Sequence, residues 1–178
     1  QLDYLVIDFP PGTSDEPLTV AQSLPDIDGM VIVTTPQQVA LLDSRKSITF
    51  SESLKVPVLG VVENMSGFTV NGTAAPGTEV NIAAPGGKTL AATADEGGNF
   101  SVTLDIFKEG GGKETAEEFG VPFLGALPFD PGFVRGGDDG VHRIVSEPEG
   151  ASARAFAKVV DAIQNQLSDG ADNGLEII

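Results

Sequence analysis

LVIDFPPGTSD, residues 5–15, is an apolar run that ends in an aspartate and breaks into Pro-Pro-Gly. Leu5, Val6 and Ile7 form the short apolar run that a parallel sheet buries on both faces, which predicts a strand over Tyr4 to Asp8. Asp8 then falls at the carboxyl end of that strand, the edge at which open α/β sheets meet their ligands. Pro10 and Pro11 bar helix continuation and Gly12 frees the backbone, so a loop carrying Gly12 and Thr13 follows. Read alone, the eleven residues also fit an ordinary strand-to-loop exit.

Outward from this stretch, buried-strand patterns alternate with amphipathic helices. Strands are predicted at Met30 to Thr34, Val58 to Val62 and Phe123 to Leu127, and helices at about Gln37 to Leu54, Gly112 to Phe119 and Ala151 to Leu167. This order predicts an α/β fold with a mostly parallel sheet flanked by helices. Thr35 is expected to cap the helix from Gln37, with Pro36 opening it. Between Phe68 and Asp105 the pattern changes to short alternating strands rich in Gly, Ala, Thr and Asn, which predicts a small antiparallel β insertion, as a meander or hairpin pair. The expected organisation is 1–67 with 106–167 as one α/β domain, 68–105 as the insertion, and 168–178 as a flexible polar tail.

Composition narrows the function classes. The 178 residues carry 26 acidic and 10 basic side chains, a formal net charge of -16. Such a surface repels phosphate backbones and anionic membranes, so no nucleic-acid or membrane partner is expected. No apolar run approaches the roughly 18 residues of a membrane span, and no signal peptide opens the chain, so a cytoplasmic location is expected. With no cysteine and the single histidine His142, neither a thiolate metal site nor a nucleophile-base triad is expected.

Four stretches in one order resemble the C-terminal half of the Mrp-type iron-sulfur cluster carriers, P-loop ATPases related to MinD and ParA. They are LDYLVIDFPPGTSD from Leu2, MVIVTTPQQVALLDSRKS from Met30, VPVLGVVENMSGF from Val56 and IFKEGGGKETAEEFGVPFLGALPFDP from Ile106, with RGGDDG after them at Arg135. ENMSGF followed later by EGGG and GVPFLG is far more specific than any single glycine motif, and the match covers roughly three quarters of the chain. The resemblance implies a partial P-loop NTPase fold that binds ATP with Mg2+, hydrolyses ATP, and passes iron-sulfur clusters to apoproteins. It assigns Asp8 to Mg2+ through a water, and Gly12 and Thr13 to the terminal phosphate. It assigns Asn64 to the adenine edge, with Pro128, Phe129 and Asp130 in the loop beside the base. A homodimer, or assembly with a complementing phosphate-loop half, is implied as well.

Bland readings stand beside these. Asp15 also fits a helix cap, Asn64 also fits a loop amide that satisfies backbone groups, Phe129 also fits the core, and Asp43, Arg45 and Lys46 fit solvated helix charges. Ser14 replaces a glycine usual in the family. Two larger departures are the absence of the phosphate-loop glycines and lysine before Gln1, and of the Cys-x-x-Cys pair that follows ENMSGF in the carriers. Triphosphate binding is therefore expected to be weak and iron-sulfur ligands absent. Gly87-Lys88-Thr89 and Gly110-Gly111-Gly112-Lys113 mimic parts of a phosphate loop, but read as a turn and a helix start. The segment 68–105 also resembles part of a bacterial immunoglobulin-like repeat, in NGTAAPGTEV and TADEGGNFSVTL. Two functions are carried forward: an ATP-binding cluster carrier of reduced activity, and a non-catalytic interaction module that uses the scaffold and its β insertion.

Overall fold

The computed structural model describes residues 2–10, 15–24, 26–107 and 109–172. Its core is a three-stranded parallel sheet in which β2 (Val58–Glu63) lies between β1 (Met30–Thr34) and β7 (Phe123–Ala126). Side chains of successive strand residues point to opposite faces, and β2 uses this to bury Val61 on one side and Val62 on the other. Ile32, Val61, Ile48 of α2 (Gln38–Ser53) and Ala116 of α3 (Gly111–Phe119) form one core layer. On the opposite face Val62, Leu124 and Leu127 pack against Val159, Ala155, Phe156 and Ile163 of α6 (Ala151–Asp172). Helices on both faces of a parallel sheet confirm the α/β reading.

The segment after β2 leaves this sheet. β3 (Phe68–Thr73) pairs antiparallel with β6 (Asn99–Leu104), and β4 (Glu79–Ala83) with β5 (Thr89–Thr93), so one hairpin is nested inside another. The nesting excludes a meander, in which β3 would pair with β4. A short 3-10 turn at Pro85–Gly87 closes the inner hairpin, and Gly87-Lys88-Thr89 accordingly sits at a turn and strand start.

Several expectations are corrected. Tyr4 to Asp8 is not a strand: the residues pair with no strand among those described, and Leu5 and Val6 are 69% and 90% exposed. An apolar run becomes a strand only when a neighbour takes its backbone N–H and C=O groups. Asp8 is exposed and therefore does not stand at a strand's carboxyl end, while Gly12 and Thr13 lie outside the described residues. The N-cap of α2 is Gln37, not Thr35, and Pro36 is buried ahead of it. The last helix runs on through Ser168 to Asp172, so the tail expected from 168 is helical at its start; 173–178 lie outside the described residues. Two further helices, α4 (Gly132–Asp139) and α5 (Arg143–Ser146), are 8 and 4 residues long, too short for a repeating pattern to be read from sequence, and α1 (Asp15–Ser23) begins at Asp15.

Ile48 is fully buried between α2 and the sheet, whereas Val33 on β1 is 61% exposed. Ile48→Ala is expected to lower the unfolding free energy by about 2–4 kcal/mol, and Val33→Ala by about 0.5 kcal/mol or less. Urea unfolding of the two variants measures the contrast.

Candidate functional site

The carboxyl ends of the three parallel strands are bound together by backbone hydrogen bonds. Asn64 N–H donates to Thr34 O at 2.6 Å, Leu127 N–H to Glu63 O at 2.7 Å, Ser66 N–H to Leu127 O at 2.9 Å, and Phe129 N–H to Gly67 O at 2.8 Å. Thr34, Asn64 and the loop from Pro128 to Asp130 are thereby gathered on one edge, the edge at which sheets of this type receive ligands. Phe129 packs edge-on against Phe68 at the foot of β3, with ring centroids 5.8 Å apart.

Asn64 is half-buried, and its Oδ1 accepts the Met65 N–H at 2.9 Å. A backbone N–H can only donate, which fixes the orientation of the amide. Its Nδ2 has no hydrogen-bond partner among the described residues. Met65 adopts a left-handed φ of 57°, a conformation that a non-glycine residue takes at a cost.

Glu63, not singled out from the sequence, is the most constrained polar group at this edge. It is 1% exposed, yet its Oε1 accepts from Ser66 Oγ at 2.6 Å and Gly110 N–H at 3.1 Å, and its Oε2 from Gly112 N–H at 2.7 Å. The glycine run permits this approach, since a Cβ on Gly112 would sit 2.9 Å from Glu63 Cβ and one on Gly111 2.7 Å from Leu41 Cδ1. The anion that the start of α3 favours is thus supplied internally, and Gly110-Gly111-Gly112-Lys113 is a helix start. One signal pointed here: a carboxylate ending a buried strand, with a glycine run waiting before a later helix.

Asp130 is also engaged within the protein. Oδ1 accepts Gly132 N–H at 2.8 Å, and Oδ2 accepts Ser152 Oγ at 2.7 Å and Arg143 Nε at 3.1 Å. Burial opposes its ionisation, but the Ser152, Gly132 and Arg143 hydrogen bonds together with the Arg143 charge outweigh that and hold the carboxyl below its ordinary value. Arg143, which also pairs with Glu147, is held protonated more firmly than usual, chiefly by its bond to Asp130. Asp130 therefore ties the loop after β7 to α4, α5 and the start of α6. Partners 13 and 22 residues away gave no local signal. Among the described residues no cluster of His, Cys, Asp and Glu suited to a metal ion is present, and no helix is long and apolar enough to cross a membrane.

The family described as "ParA: NUBPL iron-transfer P-loop NTPase" matches residues 1–95 and 95–164. An iron-sulfur cluster carrier protein of Methanocaldococcus jannaschii is 38% identical over 167 residues, covering 94% of this chain and 48% of the relative. One from Synechocystis is 40% identical over 167 residues, covering 94% and 40%. The cytosolic Fe-S cluster assembly factor NBP35 of Eremothecium gossypii is 40% identical over 171 residues, covering 95% and 44%. The chain thus spans about half the length of the curated relatives it matches, or somewhat less. A nucleotide-binding protein from Archaeoglobus fulgidus, solved in complex with ADP, is 33% identical over 75% of this chain and 44% of its own, with a TM-score of 0.48.

Because the folded Asp130 carboxyl titrates below its unfolded value of about 3.9, its stabilisation is complete above that value and is lost as pH falls through the folded one. Asp130→Asn is expected to cost about 1–2 kcal/mol at neutral pH and to flatten the acid limb of stability against pH. Urea midpoints measured for both proteins from pH 7 down to about pH 3 check the sign.

Proposed function

This chain belongs to the ParA family of NUBPL-type iron-transfer P-loop NTPases, and on that premise we propose that it is the base-side portion of an ATP-binding iron-sulfur cluster carrier of the Mrp type. The observation that supports this most directly is Asn64. Its Nδ2 is a donor without a hydrogen-bond partner among the described residues, on an edge where three strand ends converge. An amide offering one donor and one acceptor complements the N7 and N6–H groups of adenine. Thr34 and Pro128 flank it, and Asp130 acts on this reading by holding the base-side loop in place rather than by touching the nucleotide.

Asp8 is proposed to meet Mg2+ through a water, with Gly12 and Thr13 near the last phosphate. ATP supplies the energy of a conformational cycle and Mg2+ neutralises its phosphates. The cluster is cargo for apoprotein acceptors. With no cysteine among the 178 residues, its thiolate ligands must come from another segment or from a partner. Assembly as a homodimer or with a phosphate-loop half would complete the nucleotide site. A cytoplasmic location accords with a relative named as a cytosolic assembly factor.

A second reading is supported by the nested hairpins. Both are two-stranded, so each strand has an unpaired edge able to accept an extended peptide, and residues 68–105 would be an insertion serving as an interaction surface.

Mg-ATP is expected to bind this chain in the millimolar range, worth about 4 kcal/mol. Asn64→Ala should erase the preference for ATP over GTP, and Asp8→Ala should remove the Mg2+ dependence. Calorimetry showing micromolar ATP binding unmoved by both substitutions would place the site elsewhere. Replacing 68–105 by a short Gly/Ser linker should leave one cooperative unfolding transition, since both flanking strands belong to the parallel sheet. Loss of that transition would make the hairpins part of the core.

A further inference from the structure

The antiparallel arm leaves the α/β core after Gly67 and returns to it before Gly110, and one side chain touches both roots. Ser66 Oγ, on the outgoing side, and the Gly110 and Gly112 N–H groups, on the returning side, all donate to Glu63. Asn64 and Met65 lie inside the turn that the Glu63 to Ser66 bond closes, where Met65 is held at its left-handed φ. We infer that Glu63 is a positioning residue that clasps both roots of the arm and fixes the Asn64 turn against α3, so that the arm and the base-reading amide are coupled. The half of this inference that concerns base reading rests on the nucleotide role proposed for Asn64; the clasp itself does not.

The coupling has a physical basis in the sharing of one acceptor group. Any displacement of the returning root withdraws Gly110 or Gly112 from Glu63, and frees the carboxylate to rotate away from Ser66. The turn then loses the bond that offsets its backbone strain, and Asn64 loses its fixed orientation. By reciprocity, a ligand that immobilises Asn64 also tightens the arm's roots.

Amide hydrogen exchange on the whole chain tests the clasp without any nucleotide. In Glu63→Ala, exchange at 64–67 and at 110–113 should rise together by about tenfold or more, with the amides of β1 and β2 unchanged. Ser66→Ala should release 64–67 alone. In Glu63→Gln the amide NH2 faces the Gly110 or the Gly112 N–H, both on the returning root, so exchange at 110–113 should rise and the weakened hold should loosen 64–67 to a lesser degree. If Glu63→Ala instead loosens the whole chain, those last two variants decide: release of both roots by Ser66→Ala, or of neither by Glu63→Gln, overturns the clasp. Titration with Mg-ATP, Mg-GTP and inorganic triphosphate tests the coupling. The ATP over GTP preference should fall in Glu63→Gln while triphosphate affinity holds, and an unchanged preference overturns it. If the unsubstituted chain discriminates between no nucleotides, the Asn64 reading and the coupling built on it both fall, and the exchange result still decides the clasp.

Discussion

A carboxylate placed in the interior must be surrounded by donors, and the arrangement around Glu63 follows from that requirement. Removing an ion from water costs several kcal/mol even after relaxation. Here the cost is offset by three charge-assisted hydrogen bonds, two of them from the start of a helix whose dipole favours an anion. The demand is mutual, because the first N–H groups of α3 would otherwise be buried without acceptors. It also dictates sequence at a distance. Gly111 and Gly112 are pressed against Leu41 and Glu63 so closely that no side chain fits, which gives the EGGG motif a structural cause independent of phosphate.

Asp130 does on the α6 side of the sheet what Glu63 does on the α3 side. Each carboxylate sits just beyond or at the end of a parallel strand, and each takes a backbone N–H from a glycine in the first turn of a helix. The two differ in exposure. Asp130 keeps contact with solvent and pairs with Arg143, so its contribution is graded with pH. Between them these two groups fix the loops after β2 and β7, leaving Asn64 Nδ2 as a donor at that edge with no partner among the described residues.

The legible part of this fold was the part whose cause is local. Met30 to Thr34, Val58 to Val62 and Phe123 to Leu127 announce themselves as apolar runs because both faces of the sheet are covered, and α2, α3 and α6 by their helical spacing. The alternation from Phe68 to Leu104 showed antiparallel strands but not their nesting, since pairing depends on which strand is adjacent in space. Asn64 was legible as a polar residue at a strand end; its partner Met65 N–H, which fixes the amide's orientation, was not. Glu63 and the Arg143–Asp130–Ser152 set were missed for one reason: hydrogen bonds across 13 to 49 residues leave no periodic trace.

Leu5 to Ile7 shows the opposite error, a strong local signal without a local outcome. Such a run is stable as a central strand only when neighbours on both sides saturate its backbone, and the partner it needs is not among the described residues. Val33, on the outer strand β1, carries the same message, with a large apolar side chain left in solvent. The edge stitched by backbone bonds keeps its geometry without help from either. Asn64 and Asp130 are therefore the residues whose places the stitched edge fixes, whereas Asp8 follows a run that no strand holds among the described residues.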